Sequence, residues 1–248
     1  MRRSVFFALA LFFTVGAAQS ESLAFCYDPY PPYTLGQEGP AQGGVKVALL
    51  DAVMEQIDGV SATVTLLPWK RCQAVVRAGE MDGILPLFRN SEREGYMAFS
   101  QETIEQKSVF WHRHGHFRDD FTWNGDYAGL SHLRLGMLNG GYIDAEMQTA
   151  FEEKSQITRA RDVPTLMQLL LLGRVDLVAV DALVGRYVVV ENGWQDDVVS
   201  IERPISSKMS YFGLSKASGA DRYVQEFNRA ISILLSDGTM SAIVGAND

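Results

Sequence analysis

Short apolar runs alternate with amphipathic stretches along this chain, and the two periods assign the elements. Leu23 to Tyr27, Ala62 to Leu67, Lys107 to Arg113, Leu133 to Leu138, Val198 to Ile201 and Tyr211 to Leu214 read as strands. Val45 to Ile57 places Val45, Ala48, Leu49, Ala52, Val53 and Ile57 on one helical face. Further helices are expected over Trp69 to Ala78, Tyr142 to Phe151 and Leu183 to Glu191. In the tail, Asp221 to Leu235 carries Tyr223, Phe227, Ala230, Ile231 and Leu234 on one side. Strands alternating with helices predict an α/β fold built on largely parallel sheets.

One joint occurs twice. A helix, Gly79-Glu80-Met81-Asp82 and the apolar run from Gly83 match a helix, Gly173-Arg174-Val175-Asp176 and the run Leu177 to Val180. In each copy a glycine can close the helix in a left-handed conformation, and an aspartate leads into a buried strand. The repeat suggests two lobes of similar design. Asp28-Pro29-Tyr30-Pro31-Pro32-Tyr33 is a loop stiffened by three prolines that lack backbone donors, and it displays its aromatic rings as a plausible ligand wall.

Composition narrows the function classes. Arg2 and Arg3 precede an apolar run from Val5 to Val15 and the small residues Gly16, Ala17 and Ala18, the pattern of a secretory signal peptide over residues 1–18. The run is shorter than the roughly 20 apolar residues that a spanning helix needs, so a periplasmic location is expected. Cys26 follows a bulky Phe25, which argues against lipidation. The net charge of −8 becomes more negative once Arg2 and Arg3 are removed, and nucleic acid is excluded as a partner. With 47% hydrophobic residues the chain is an ordinary packed globular protein. The two cysteines, Cys26 and Cys72, can pair in an oxidising compartment if the strands ending at Tyr27 and Leu67 lie side by side. Two buried free thiols are the alternative, because sequence fixes the count and not the geometry.

At Pro68-Trp69-Lys70-Arg71, Gly79-Glu80-Met81-Asp82-Gly83, and Asn90-Ser91-Glu92-Arg93 followed by Tyr96-Met97-Ala98-Phe99-Ser100, the chain resembles the extracellular solute-binding protein family 3, the polar amino acid-type receptors of ABC transporters. The likeness extends to Asp237-Gly238-Thr239 near the C-terminus. It implies a bilobal, type II periplasmic binding protein fold: two parallel-rich sheets flanked by helices and joined by a two-strand hinge. Residues 22–103 and 210–248 would form the first lobe and residues 108–206 the second, with crossings near Gln101 to Lys107 and Ser207 to Phe212. The resemblance also implies a monomer that binds a small solute and delivers it to an ABC permease or reports it to a membrane sensor, without a cofactor.

Arg93 matches the family's carboxylate-binding arginine, with Asn90 where the family has threonine, and Ser91 and Glu94 have the spacing of a capping box. A planar guanidinium offers parallel N–H donors to a carboxylate; the alternative is a surface arginine paired with Glu92 or Glu94. Asp181 matches the aspartate that receives a ligand amino group, and it also suits the N-cap of the helix that follows. Asn139, Gly140, Gly141 and Tyr142 match a glycine-rich turn whose backbone N–H groups can bind an anion. Pro86-Leu87-Phe88-Arg89 departs from the family's small and hydroxyl residues and offers a ring instead. Tyr27, Tyr30, Trp69, Phe88 and Tyr142 are candidates for an aromatic pocket, and Arg71 and Arg89 for positive charge at its mouth.

An enzyme would need a constellation that the sequence lacks: it contains no Gly-x-Ser-x-Gly, phosphate-binding loop or His-Glu-x-x-His. Some relatives of this fold are dehydratases, which keeps a catalytic cleft as a minor alternative. His112, His114 and His116 would share one face of a strand, but without a fourth ligand they are a weak metal pattern, and no metal is expected.

Overall fold

The computed structural model describes residues 21–118, 121–139, 143–154 and 156–246. The signal-like segment and the Gly140-Gly141-Tyr142 part of the turn lie outside them. Elements follow in the order β1 (Glu21–Tyr27), β2 (Gly39–Pro40), α1 (Val45–Met54), β3 (Val60–Leu66), α2 (Trp69–Ala78), β4 (Gly83–Leu87), α3 (Ser91–Glu94) and β5 (Met97–Phe99). The middle of the chain forms β6 (Glu105–Arg113), β7 (Leu135–Leu138), α4 (Ala145–Glu152), β8 (Ile157–Ala160), α5 (Val163–Leu171), β9 (Leu177–Asp181), α6 (Ala182–Glu191), β10 (Val198–Ser200) and β11 (Ser206–Met209). It closes with β12 (Tyr211–Ser215), α7 (Val224–Ser236) and α8 (Thr239–Gly245).

Two sheets result. The first has the order β2-β3-β1-β4-β12-β5, and the second has β10-β6-β9-β7-β8 with β11 also paired to β6. Each sheet keeps a parallel centre, β3-β1-β4 in one and β9-β7-β8 in the other, and adds antiparallel strands beside it. The α/β architecture expected from the pattern is therefore present. The chain passes between the sheets after β5 and again after β11, and the two crossings bond to each other. Thr103 N–H and Oγ1 donate to the Ser210 carbonyl at 2.9 and 2.8 Å, and Ser210 N–H and Oγ donate to the Ile104 carbonyl at 3.0 Å each. Both side chains are buried, so these bonds satisfy groups that water cannot reach.

The repeated joint has one physical job in both sheets. Gly79 and Gly173 take φ of 77° and 65° at the ends of α2 and α5. The following aspartate then clamps a neighbouring strand by a reciprocal pair of bonds. Asp82 N–H donates to the Ala24 carbonyl while its carboxylate accepts from Ala24 N–H, both at 2.8 Å. Asp176 does the same with Arg134, at 2.8 and 2.9 Å.

Cys26 and Cys72 are joined, with Cα atoms 5.7 Å apart, and the bond ties the end of β1 to α2. Two local expectations are corrected. The cap of α3 is Asn90, whose side chain accepts from Arg93 N–H at 2.9 Å, in place of Ser91. The helix expected from Tyr142 opens at Ala145, because Asp144 accepts from Met147 N–H at 2.8 Å. Between β6 and β7, Trp123 and Tyr127 join a buried cluster of the second sheet, where Trp123 packs edge-on against Phe110 with centroids 5.2 Å apart.

Candidate ligand-binding site

The loop after β1 folds onto the first turn of α1 and sets the site. Tyr30 N–H bonds Thr34 Oγ1 at 2.9 Å, and Thr34 Oγ1 donates to the Asp28 carbonyl at 2.6 Å, which closes the proline-rich segment on itself. The carbonyls of Pro32 and Tyr33 then accept from the N–H groups of Val45 and Lys46 at 3.0 and 2.9 Å, satisfying two donors that a helix start leaves open. Gly44 makes this docking possible. Its φ is +109°, and a Cβ there would lie 2.6 Å from the Tyr33 carbonyl oxygen.

This docking sends Lys46 inward. Its side chain is completely buried, with Nζ 2.6 Å from the Tyr27 hydroxyl. The ammonium also lies 4.1 Å from the Tyr27 ring centroid and 4.8 Å from that of Tyr33. Burial pushes the Lys46 ammonium down to about 7, while Asp181 and Asp28 pull it back up. The Tyr33 hydroxyl reaches across to the other sheet and lies 3.1 Å from both oxygens of Asp181. Asp181 ends β9 and also caps α6, accepting from Val184 N–H at 3.1 Å. Burial raises the Asp181 carboxyl above the usual carboxylate range, opposed by that N–H, the Tyr33 hydroxyl and Lys46. Burial likewise raises Asp28, and it raises Tyr27, Tyr30 and Tyr33 above ordinary tyrosines, with nearby carboxylates adding to the shift.

Beside this cluster a cavity of about 230 Å³ lies between the sheets. Tyr27, Tyr30 and Phe88 come from the first sheet's side. The second contributes Gln106, Ser108, Met137, Leu138, Ile143, Ala179, Val180, Asp181, Ser206 and Lys208. Lys208 Nζ donates to the Ile143 carbonyl at 3.3 Å and lies 5.8 Å from the Phe88 ring, so it too spans the gap. The space is close to the lower end of small-molecule pockets, roughly 300 Å³.

Of the residues singled out from the sequence, Tyr27, Tyr30, Phe88 and Asp181 converge on this cavity. Trp69 stands behind Tyr27, with ring centroids 5.5 Å apart. Arg93 does not line the cavity. Its guanidinium lies 5.2 Å from the Trp69 ring and its Nη1 donates to the Phe88 carbonyl. Glu92 and Glu94, its alternative partners, bond Arg77 and Arg89 instead. Arg89, bonded to Glu94, and Arg71, exposed on α2, are both outside the cavity lining. Asn139 is exposed at the end of β7, its N–H bonded to Ala160, while Gly141 and Tyr142 lie outside the described residues. His112 lies in β6 and packs edge-on against Phe117, whereas His114 and His116 sit in the turn beyond it.

Sequence reading missed Lys46, Gln106, Ser108, Ser206 and Lys208, whereas Tyr33 belongs to the proline-rich loop read as a ligand wall. Lys46 had a signal. It occupies the helical stripe of Leu49, Leu50 and Val53, where a lysine has no apolar reason to be.

Bacterial extracellular solute-binding proteins, family 3, match residues 23–245. The chain belongs to this family. Among solved structures with the same fold is the arginine-, lysine-, histidine-binding protein ArtJ from Geobacillus stearothermophilus, at 21% identity and TM-score 0.64, covering 90% of this chain and 93% of that one. The second substrate-binding domain of a putative amino acid ABC transporter from Streptococcus pneumoniae is 17% identical with TM-score 0.68, covering 91% and 98%. A histidine kinase sensor domain with similarity to periplasmic binding proteins is 18% identical with TM-score 0.66, covering 92% and 96%. No curated protein matches the chain. Among the described residues no helix is long and apolar enough to cross a membrane.

Proposed function

We propose that this family member is a periplasmic receptor that captures one small polar or zwitterionic solute, an amino acid or related carboxylate, and hands it to an ABC permease. The observation that carries the reading is the cavity between the sheets, walled from both sides and lined by a part-buried carboxylate, Asp181. In this account residues 22–103 with 210–248 and residues 108–206 are the two lobes, and the paired crossings at Thr103 and Ser210 are the hinge. Solute bound across the gap favours the closed form by the contacts it makes only there. Arg93, poised on Trp69, turns inward to meet the solute carboxylate as Phe88 closes over it.

A thermal-shift screen over amino acids, amines and organic acids tests this. A solute at about 100 times its Kd stabilises the fold by about 2.7 kcal/mol, which raises the melting temperature by about 5–10 °C in a protein of this size. Replacing Arg93 with Ala is expected to weaken the hit by roughly 10- to 150-fold, the value of a charged hydrogen bond of about 1.5–3 kcal/mol. Unchanged affinity would remove Arg93 from the site.

The kinase sensor domain among the fold's relatives supports a second reading, a module that reports solute to a membrane sensor. Deleting the gene separates the two: loss of solute uptake supports transport, whereas intact uptake with a lost transcriptional response supports sensing.

A further inference from the structure

Asp181 is already occupied by its own protein. Its two oxygens share the Tyr33 hydroxyl, and Oδ1 also accepts from Val184 N–H. Behind Tyr33, completely buried, stands the ammonium of Lys46, placed against the Tyr27 and Tyr33 rings and bonded to the Tyr27 hydroxyl. A lysine inside a core is stable only with a partner, and the carboxylates that act on this one are Asp181 and Asp28. An amino-acid ligand presenting its α-ammonium to Asp181 would compete with Lys46 for the same charge, in a space that water does not screen.

The remaining groups point the same way. Lys208 lines the cavity, and Arg93 stands beside it against Trp69 and the Phe88 carbonyl, two cations within reach of a carboxylate. The neutral polar groups of the lining, among them the hydroxyls of Ser108 and Ser206 and the amide of Gln106, suit a hydroxyl or carbonyl oxygen. Phe88, Met137, Leu138 and Ile143 leave an apolar wall for a hydrocarbon remainder.

We infer that the Lys46 ammonium replaces the ligand's own ammonium as counter-charge to Asp181, so that the solute is a small hydroxy- or oxo-carboxylate without an amino group, an inference that rests on the receptor reading above. The specificity of the site is then set from behind its wall, by a residue that never touches solute.

Isothermal titration of matched pairs that differ at one carbon tests this: leucine against 4-methyl-2-oxopentanoate, phenylalanine against phenylpyruvate and phenyllactate, and glutamate against 2-oxoglutarate. The wild-type protein is expected to bind the oxo or hydroxy member of at least one pair tenfold or more tightly than the amino acid. Lys46→Met should reverse the order, losing at least tenfold for the acid and gaining for the amino acid. Should that variant not fold, Tyr33→Phe keeps the lysine and uncovers Asp181; it should improve amino-acid binding at least threefold and leave the acid within threefold. Tighter binding of the amino acid by wild-type protein, or acid affinity unchanged in Lys46→Met, overturns the inference and leaves the receptor standing. So does a screening hit that is an amine or a neutral solute. Absence of binding by every pair and by the whole thermal-shift panel overturns the receptor reading, and the inference with it.

Discussion

Lys46 is the residue on which the site turns, and its burial makes stability depend on pH in a defined direction. Its folded value of about 7 lies below the roughly 10.4 of an unfolded lysine. Between those values the unfolded chain holds more protons, so stability rises with pH and levels off beyond the unfolded value. His112 is lowered by burial and completes its own rise before neutrality, and the raised tyrosines Tyr27, Tyr30 and Tyr33 act above about 10. Asp28 and Asp181 are raised by burial, so their own contribution falls with rising pH, opposite in sign to that of the lysine. Chemical denaturation of unliganded protein from pH 7 to 10 is expected to show a gain on the order of a few kcal/mol. Lys46→Met should flatten that slope; a slope retained in the variant would assign it to another group. Gly44→Ala should cost more than about 1 kcal/mol, because a non-glycine residue there is strained and its Cβ meets the Tyr33 carbonyl. Equal urea midpoints for the two proteins would contradict this.

The site residues that could be read from sequence were those whose type is unusual for their place. Tyr27, Tyr30 and Phe88 stood out beside prolines or in a departure from the family pattern, and Asp181 stood at the end of an apolar strand. Ser108, Ser206 and Lys208 could not be found that way. Small hydroxyls and a lysine are ordinary on strands with one polar face, and only the pairing of β6 with β9 and β11 brings them to the cavity.

At the scale of elements, the two helix–Gly–Asp–strand joints were legible as a repeat, and the structure supplies the reason for the aspartate. Each holds a neighbouring strand by paired backbone and carboxylate bonds. Removing the carboxylate leaves the N–H of Ala24 or Arg134 without its acceptor, at a cost of about 1–3 kcal/mol. Asp82→Ala and Asp176→Ala are therefore expected to lower the denaturation midpoint by comparable amounts with little change in slope. A change below 0.3 kcal/mol, on the order of an exposed pair's worth, would reduce the repeat to a coincidence of turn chemistry. Asp176 also holds the Arg134 guanidinium, so part of its effect should fade with salt. Strand and helix identities were legible wherever the apolar period ran for several residues, as in β1, α2 and α7. Boundaries were not, where two residues competed for one cap: Asn90 beside Ser91, and Asp144 two places after Tyr142. Trp123 and Tyr127 were hidden because glycines and charges around them dominate the local pattern, while their packing partner Phe110 is distant in sequence.

For the whole molecule, the two sheets and the paired crossings at Thr103 and Ser210 give the proposed closure a physical form, since the chain joins the sheets at buried, mutually bonded points. The Cys26–Cys72 bond lies wholly on the first sheet's side, tying α2 to β1. Its removal by Cys26→Ser with Cys72→Ser is expected to cost about 2–4 kcal/mol of stability while solute affinity changes little; a large loss of affinity with an intact fold would show that α2 moves on binding. The α/β class was visible in the alternation of strands and helices, and the repeated joint pointed to two similar units, but only the resemblance placed the crossings, because they lack a linker's composition. The most direct measurement of the central claim is a crystal structure of the protein with the tightest solute from the screen. The account predicts solute density between the sheets against Tyr27, Tyr30 and Ser206, with Asp181 still bonded to Tyr33. Solute lodged elsewhere, with that cavity unfilled, would contradict it.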